Sequence, residues 1–362
     1  MPMLDRIEIE GFKSIRQMVL DLRPVNVLIG ANGAGKSNFI GVFVLLQRMM
    51  EGRLQLHVAQ AGGADTLLHF GRKQTSELRL RLRYQPDKTF YRVTLVPSAH
   101  DALIYGAENY GVDGGFGFHS DGFGVQTETG LLAGLPGQAG QHKTQVHQVL
   151  AGVRVHHFHD TSAAAKVKQS QDINDNEALR SDASNLAAFL FLLREKHPDS
   201  YRRLVATVRL AAPFFDDFRL RPSPFNEQKI LLEWSERGSD AYFNAHALSD
   251  GTLRFICLAT LLLQPAPPPL IIIDEPELGL HPYAIQLLAD LVSSASEKSQ
   301  VILSTQSVTL VNQFAPEDLV VVDRSGKESL FRRLSPEETQ SWLDSYSLGE
   351  LWEKNVIGGR PG

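Results

Sequence analysis

The sequence is short of cysteine, of net charge and of long apolar runs, and each shortage removes a class of protein. One cysteine, Cys257, stands among 362 residues, so there is no internal disulfide framework and a reducing compartment is the expected setting. It falls within the apolar run Phe255 to Leu263 and reads as a packing thiol rather than a nucleophile. A formal charge of −5 gives no overall pull toward nucleic acid or anionic membrane, so any DNA site has to be a local patch. Runs such as Phe255 to Leu263 are too short to span a bilayer, and Met1-Pro2-Met3-Leu4-Asp5-Arg6 lacks the apolar segment of a signal peptide. The expectation is a cytoplasmic protein with no membrane partner. A hydrophobic content of 43 % is ample for a core, and the length suits one large domain or a domain with a sizeable insertion.

Against these absences stands one complete pattern, Gly30-Ala31-Asn32-Gly33-Ala34-Gly35-Lys36-Ser37, between the apolar run Val25 to Ile29 and a helix-like run from Asn38 to Met50. It is a Walker A loop in the strand-to-helix context that the motif needs. Glycines let the backbone turn tightly enough to aim N–H groups at phosphate, and the helix start adds its positive end. Lys36 reaches the β- and γ-phosphates, and the Ser37 hydroxyl ligates Mg²⁺. Gly30, Asn32, Gly33, Ala34, Gly35, Lys36, Ser37 and Asn38 are the candidate ATP-binding residues. A second run, Leu270-Ile271-Ile272-Ile273-Asp274-Glu275-Pro276-Glu277, reads as a Walker B. Four apolar residues make a strand buried on both faces, and two carboxylates at its end require a cation. Asp274 joins Ser37 as a candidate Mg²⁺ ligand, and Glu275 is the candidate for orienting or deprotonating the attacking water.

Elsewhere the pattern is one of strands and helices in alternation. Residues 4–10 and the segment after Gly11-Phe12-Lys13-Ser14-Ile15 predict a short antiparallel strand pair. Glu77 to Tyr84 alternates with period two, putting leucines on one face and Arg79, Arg81 and Arg83 on the other, with Thr89 to Val96 as hairpin partner. The arginine row is either a solvated sheet face or a phosphate-tracking stripe for DNA. Seven glycines between Gly106 and Gly124 predict loops or short hairpins. Val153 to Asp160 returns to strand character; His157 and His159 share one face and His156 the other, which favours a structural or nucleotide-flanking role over a metal site. Residues 184–197 predict a helix, Asp199 a cap for a second one, and Phe218–Arg221 and Ile230–Trp234 strands around a Pro-Ser-Pro turn. Leu248-Ser249-Asp250-Gly251 precedes an apolar helix and, taken alone, is an ordinary N-cap. A helix from Pro282 to Ser293 and the strands Val301–Thr305 and Leu319–Asp323 complete an α/β fold with a mostly parallel core sheet.

Taken together, Gly30–Ser37, Leu248–Leu253 and Asp274–Pro282 resemble an ABC-type ATPase head of the RecF, SMC and OLD group of AAA-like ATPases. Ile7-Glu8-Ile9-Glu10-Gly11-Phe12-Lys13-Ser14 resembles that group's first strand pair, and Asp274 to Pro282 its Walker B and D-loop. The fold expected is a P-loop NTPase with an antiparallel β lobe, a mostly parallel core sheet and a helical insertion. Residues 1–334 would be the ATPase domain, 160–240 an inserted helical and β lobe, and 335–362 a tail that serves as a docking helix or a partner surface.

The resemblance implies that Ser249, Asp250 and Gly251 form the signature motif closing over ATP held by a second subunit, so a homodimer is expected. Gln306 occupies the switch position where ABC ATPases usually carry histidine; it can sense the γ-phosphate but cannot take a proton near neutral pH. For the Q-loop, Gln74 and the His159-Asp160 segment are both candidates. OLD nucleases carry a TOPRIM domain after the ATPase and the residues beyond Asp323 are too few for one, so the chain is not expected to cut DNA by itself. The function so implied is Mg²⁺-dependent ATP hydrolysis acting on DNA or a DNA-bound partner in repair, genome maintenance or phage defence. The alternative is a sensor ATPase that regulates a separately encoded effector.

Overall fold

A computed structural model describes residues 3–113, 146, 147 and 149–359, divided into two compact units. The first comprises residues 1–155, 268–272 and 300–362, and the second 156–267 and 273–299. The glycine-rich stretch beyond residue 113 lies outside the described residues.

The first unit is built on two sheets. One is antiparallel, in the order Ile15–Asp21, Met3–Phe12, Leu78–Gln85, Thr89–Pro97, Leu103–Val112. Alternation sets its faces: Ile7, Ile9, Leu78, Leu80 and Leu82 are buried, whereas Arg79, Arg81 and Arg83 point the other way. Leu103–Val112 is a ten-residue strand where sequence predicts loops. Its Gly106 lies near the register shift at Thr94 and Leu95, and a Cβ there would come 3.1 Å from Val96 Cγ1. The glycine accommodates an irregular pairing rather than ending the strand.

The other sheet is mostly parallel, in the order Glu328–Arg333, Leu319–Ser325, Val25–Ile29, Gln300–Thr305, Leu270–Asp274, Arg154–His156. Val25–Ile29 is buried along its whole length and pairs in parallel with both Gln300–Thr305 and Leu319–Ser325, as expected of a central strand covered on both faces. The helix Lys36–Met50 follows it and buries Phe39, Ile40, Val42, Phe43, Leu45, Leu46 and Met49. Burying one such side chain contributes about 1.5–3 kcal/mol, so this helix is anchored by its packing and its first turn can be given over to a ligand.

The second unit holds the helices Leu186–Lys196, Pro198–Ala211, Asp250–Leu263 and Pro282–Ser296 with two three-stranded sheets. The strands are Phe215–Phe218, Pro222–Ser223, Asn226–Ile230 and Glu233–Glu236, together with Gln171–Asp172 and Tyr242–Asn244. Arg219 to Arg221 and Leu231 to Leu232 therefore connect strands instead of lying in them. Asp199 does not cap its helix: His197 is the N-cap and Pro198 takes the first helical position, where a missing N–H costs nothing. Asp199 pairs instead with Arg202 in the first turn. Among the described residues no helix is long and apolar enough to cross a membrane.

Candidate functional site

In the first unit the phosphate loop is strapped down from several directions. Gly35 is the N-cap of the helix Lys36–Met50, with φ +125°, no side-chain cap and no acidic residue in the first turn. Helices starting at Ser249, His281, Ser335 and Ser347 each carry a side-chain cap, whereas Leu54–Gln60, Ala64–Leu67, Leu186–Lys196 and Pro198–Ala211 also lack one, so it is the glycine loop and the buried Lys36 beside this uncapped start that set it apart. The N–H groups that begin the helix Lys36–Met50 are thus left without the usual side-chain acceptor, an arrangement that favours an anion. A Cβ at Gly35 would fall 2.1 Å from Ser329 Oγ, so only glycine admits this close approach. Ser329 donates to Ala34 O, and its oxygen lies 2.6 Å from Ser14 Oγ, which accepts from Asn38 Nδ2 at 2.6 Å. Arg324 Nη1 adds a bond to Gly33 O at 3.0 Å. Lys36 is buried, and its Nζ donates to Gly30 O at 2.5 Å and Ala31 O at 3.1 Å. Asn32, Gly33 and Ser37 are exposed.

Beside the loop lies a cleft of about 610 Å³ lined by Lys13, Ser14, Phe70, Arg72, Arg324 and Lys327, among others. Lys13 and Phe70 both hold left-handed backbone, φ +47° and +55°, which for side-chain-bearing residues is strain retained where the surroundings impose it. Lys327 Nζ stands over the Phe70 ring at 5.7 Å. Only Lys13 and Ser14 carried a signal in the sequence, as part of the opening strand pair. Of the others, Phe70, Arg72 and Lys327 lie in turns and Arg324 near the end of the strand Leu319–Ser325, none within a motif. Gln306, half-buried, borders a separate pocket with Gly30, Ala31 and Asn32. Gln74 sits exposed on the turn that begins at Gly71.

In the second unit Asp274 ends the strand Leu270–Asp274, and Glu275 follows with φ +43°, a third strained residue at a candidate position. His159 Nε2 lies 2.9 Å from Asp274 O, so the His159-Asp160 segment meets the Walker B backbone. His157 and His159 face each other with ring centroids 6.1 Å apart, and His156 is buried. Ser249 is exposed and caps the helix Asp250–Leu263 by accepting from Thr252 N at 3.1 Å. Asp250 Oδ1 is 3.9 Å from the buried Lys168 Nζ. A Cβ at Gly251 would come 2.3 Å from Gly279 O, so the turn at Ser249–Gly251 and the segment around Gly279 touch through backbone. Arg254, from the same helix, is buried and donates to Phe158 O at 3.0 Å, His159 O at 3.2 Å and Leu278 O.

The arginine row of the antiparallel sheet is paired with carboxylates. Arg79 meets Glu10 at 3.1 Å and also Glu77; Arg81 meets Asp113 at 2.6 Å and Glu8 at 3.7 Å; Arg83 meets Asp5 at 2.6 Å. Register explains it, because Glu10 lies opposite Arg79 and Glu8 opposite Arg81.

Comparison with known proteins bears on family and fold. A family model described as "AAA ATPase domain" matches residues 3–202, and one described as "AAA domain, putative AbiEii toxin, Type IV TA system" matches residues 146–312. No curated protein matches the chain. Among solved structures, an SMC head bound to the C-winged helix domain of ScpA aligns with TM-score 0.63 and 18 % identity, covering 94 % of this chain and 100 % of that one. The head domain from Pyrococcus furiosus bound to the C-terminal domain of ScpA gives 0.59 and 15 %, over 95 % and 99 %. That from Pyrococcus yayanosii gives 0.55 and 14 %, also over 95 % and 99 %. At these identities the structures speak to fold alone. With a family model spanning more than half of its length, the chain belongs to the AAA ATPase domain family, and its fold is that of the ABC-like ATPases of RecF and SMC type.

Proposed function

We propose that the protein binds ATP at the loop Gly30–Ser37 and hydrolyses it with Mg²⁺, and that ATP held by one copy is closed over by Ser249, Asp250 and Gly251 of a second. The observation that carries the reading is the buried Lys36, held on the carbonyls of Gly30 and Ala31 at the uncapped, acid-free start of the helix Lys36–Met50. A triphosphate suits that donor set: backbone N–H groups and Lys36 offer only hydrogens, and the nearest loop carbonyls are already occupied by Lys36. Ser37 and Asp274 are the oxygen donors for Mg²⁺, which when bound supplies positive charge to the phosphate oxygens. Glu275 orients the attacking water, and Gln306 senses the γ-phosphate through hydrogen bonds. Replacing Lys36 by Ala is expected to abolish ATP binding. Replacing Glu275 by Gln is expected to keep ATP binding and lower turnover by roughly 10²-fold or more; native turnover in that variant would remove Glu275 from the chemistry.

What the cycle acts on divides two readings. The DNA reading drew on Arg79, Arg81 and Arg83, whose charges are met by Glu10, Asp113, Glu8 and Asp5. The match over residues 146–312 to a toxin-system AAA domain favours the second, an ATPase that switches a separately encoded effector in a defence setting. Duplex-DNA affinity measured across salt concentrations separates them. A slope unchanged by reversing the three arginines removes that row from any DNA contact.

A further inference from the structure

Residues 335–359 fold back onto the phosphate loop of their own unit. The helix Leu348–Glu353 opens with a capping box between Ser347 and Glu350. Gly349 N–H donates to Asn312 Oδ1 at 2.6 Å, and a Cβ at that glycine would fall 2.4 Å from Val308 Cγ1. This fastens the tail to the short helix Val308–Val311, which starts two residues after Gln306. The chain then reaches Gly359, φ +84°, whose N–H donates to Asp323 Oδ1 at 2.6 Å. A Cβ there would lie 3.1 Å from Trp352 Nε1, 3.3 Å from Val321 Cγ1 and 3.4 Å from Gly30 Cα. Gly30 is the first residue of the phosphate loop. Between tail and loop lies a pocket of about 340 Å³, with Gly30, Ala31, Asn32 and Gln306 in one part of its lining and Trp352 and Glu353 in another.

We propose that residues 348–359 are a positioning clamp for the phosphate loop and Gln306, with Trp352 and Gly359 as its contact residues, and that the clamp rearranges when ATP binds. Lys36 spends its Nζ on the carbonyls of Gly30 and Ala31. A lysine that turns to a phosphate gives those two acceptors up. Both residues border the pocket that Trp352 also lines, and the indole N–H of Trp352, on a residue only 7 % exposed, has no acceptor among the described residues. The residues whose carbonyls would be freed and the residue whose indole N–H lacks an acceptor thus line the same pocket, so loading the loop alters the surroundings of the indole.

The inference rests on the ATP-binding reading, and one experiment separates their failures. The full-length Glu275→Gln protein carrying Trp234→Phe and Trp342→Phe keeps Trp352 as its reporter, since the chain has three tryptophans. ATP with Mg²⁺ is titrated while bound label is counted by dialysis and emission is recorded. Emission of Trp352 is expected to change in step with occupancy. Gly359→Ala in the same protein is expected to weaken ATP binding roughly tenfold. Gly52→Ala is expected to leave binding and emission unchanged; there φ is +68° and nothing lies within 4 Å of the added Cβ. Bound ATP with unchanged emission, or equal affinities for the two alanine variants, overturns the clamp and leaves the ATP site standing. Absence of bound ATP overturns both. The emission arm leaves residues 348–359 native, so it decides the matter even if Gly359→Ala fails to fold.

Discussion

Arg254 shows how much one side chain can hold. Its guanidinium reaches three backbone carbonyls, two at Phe158 and His159 and one at Leu278, so a single fork ties the helix Asp250–Leu263 to the histidine segment and to the turn after Glu275 within one unit. Replacing it by Met would leave three acceptors short of donors in a buried place, and the expected loss is about 3 kcal/mol, read from urea unfolding. Lys is expected to restore less than half, because an ammonium cannot span three diverging carbonyls. The rest of that helix carries little else that is polar: Cys257, about one turn on, is buried, and desolvation pushes its thiol up to about 12. The raised value keeps the thiol protonated until the medium approaches that pH. Native protein is therefore expected to be inert to a thiol reagent at pH 8 and to react once unfolded, where the thiol returns to its ordinary range.

At the scale of elements, the phosphate loop is held by parts remote in sequence. The chain Asn38, Ser14, Ser329 and Ala34 O joins the start of the loop helix to the turn between the first two strands and to the last strand of the parallel sheet. Ser329→Ala removes the donor to Ala34 O and frees Ser14 without adding volume. The expected result is a rise of roughly three- to tenfold in KM for ATP, with kcat nearly unchanged and a loss of about 1 kcal/mol in stability. Steady-state kinetics beside a melting curve tests it; an equal fall in kcat would mean that the network acts in the transition state.

For the whole molecule the testable quantity is mass. One chain weighs 40.1 kDa, and the proposed arrangement gives about 80 kDa for the Glu275→Gln protein in ATP and Mg²⁺. Chelation of Mg²⁺ is expected to return it to the monomer mass, as is Ser249→Arg, which places bulk and positive charge on an exposed turn meant to meet a phosphate. Light scattering that reports a monomer under every condition would remove the second copy from the scheme.

What the sequence determined by itself is what depends on neighbours along the chain. The loop Gly30–Ser37, the strand before it and the helix after it follow from glycine spacing and apolar periodicity, and the strand ending at Asp274 follows from its unbroken run of isoleucines. The leucine and arginine alternation was equally plain, yet what faces the arginines was not, because strand register supplies the acids from residues 5–10 and 113. Tertiary structure alone decided that Gly106 lies inside a strand, that Arg254 is buried, that Ser14 and Ser329 brace a loop between them, and that Gly359 comes to lie against Gly30. Each of these depends on groups about a dozen to hundreds of residues apart in the chain, and local pattern carries no record of which backbone will come within a few ångströms.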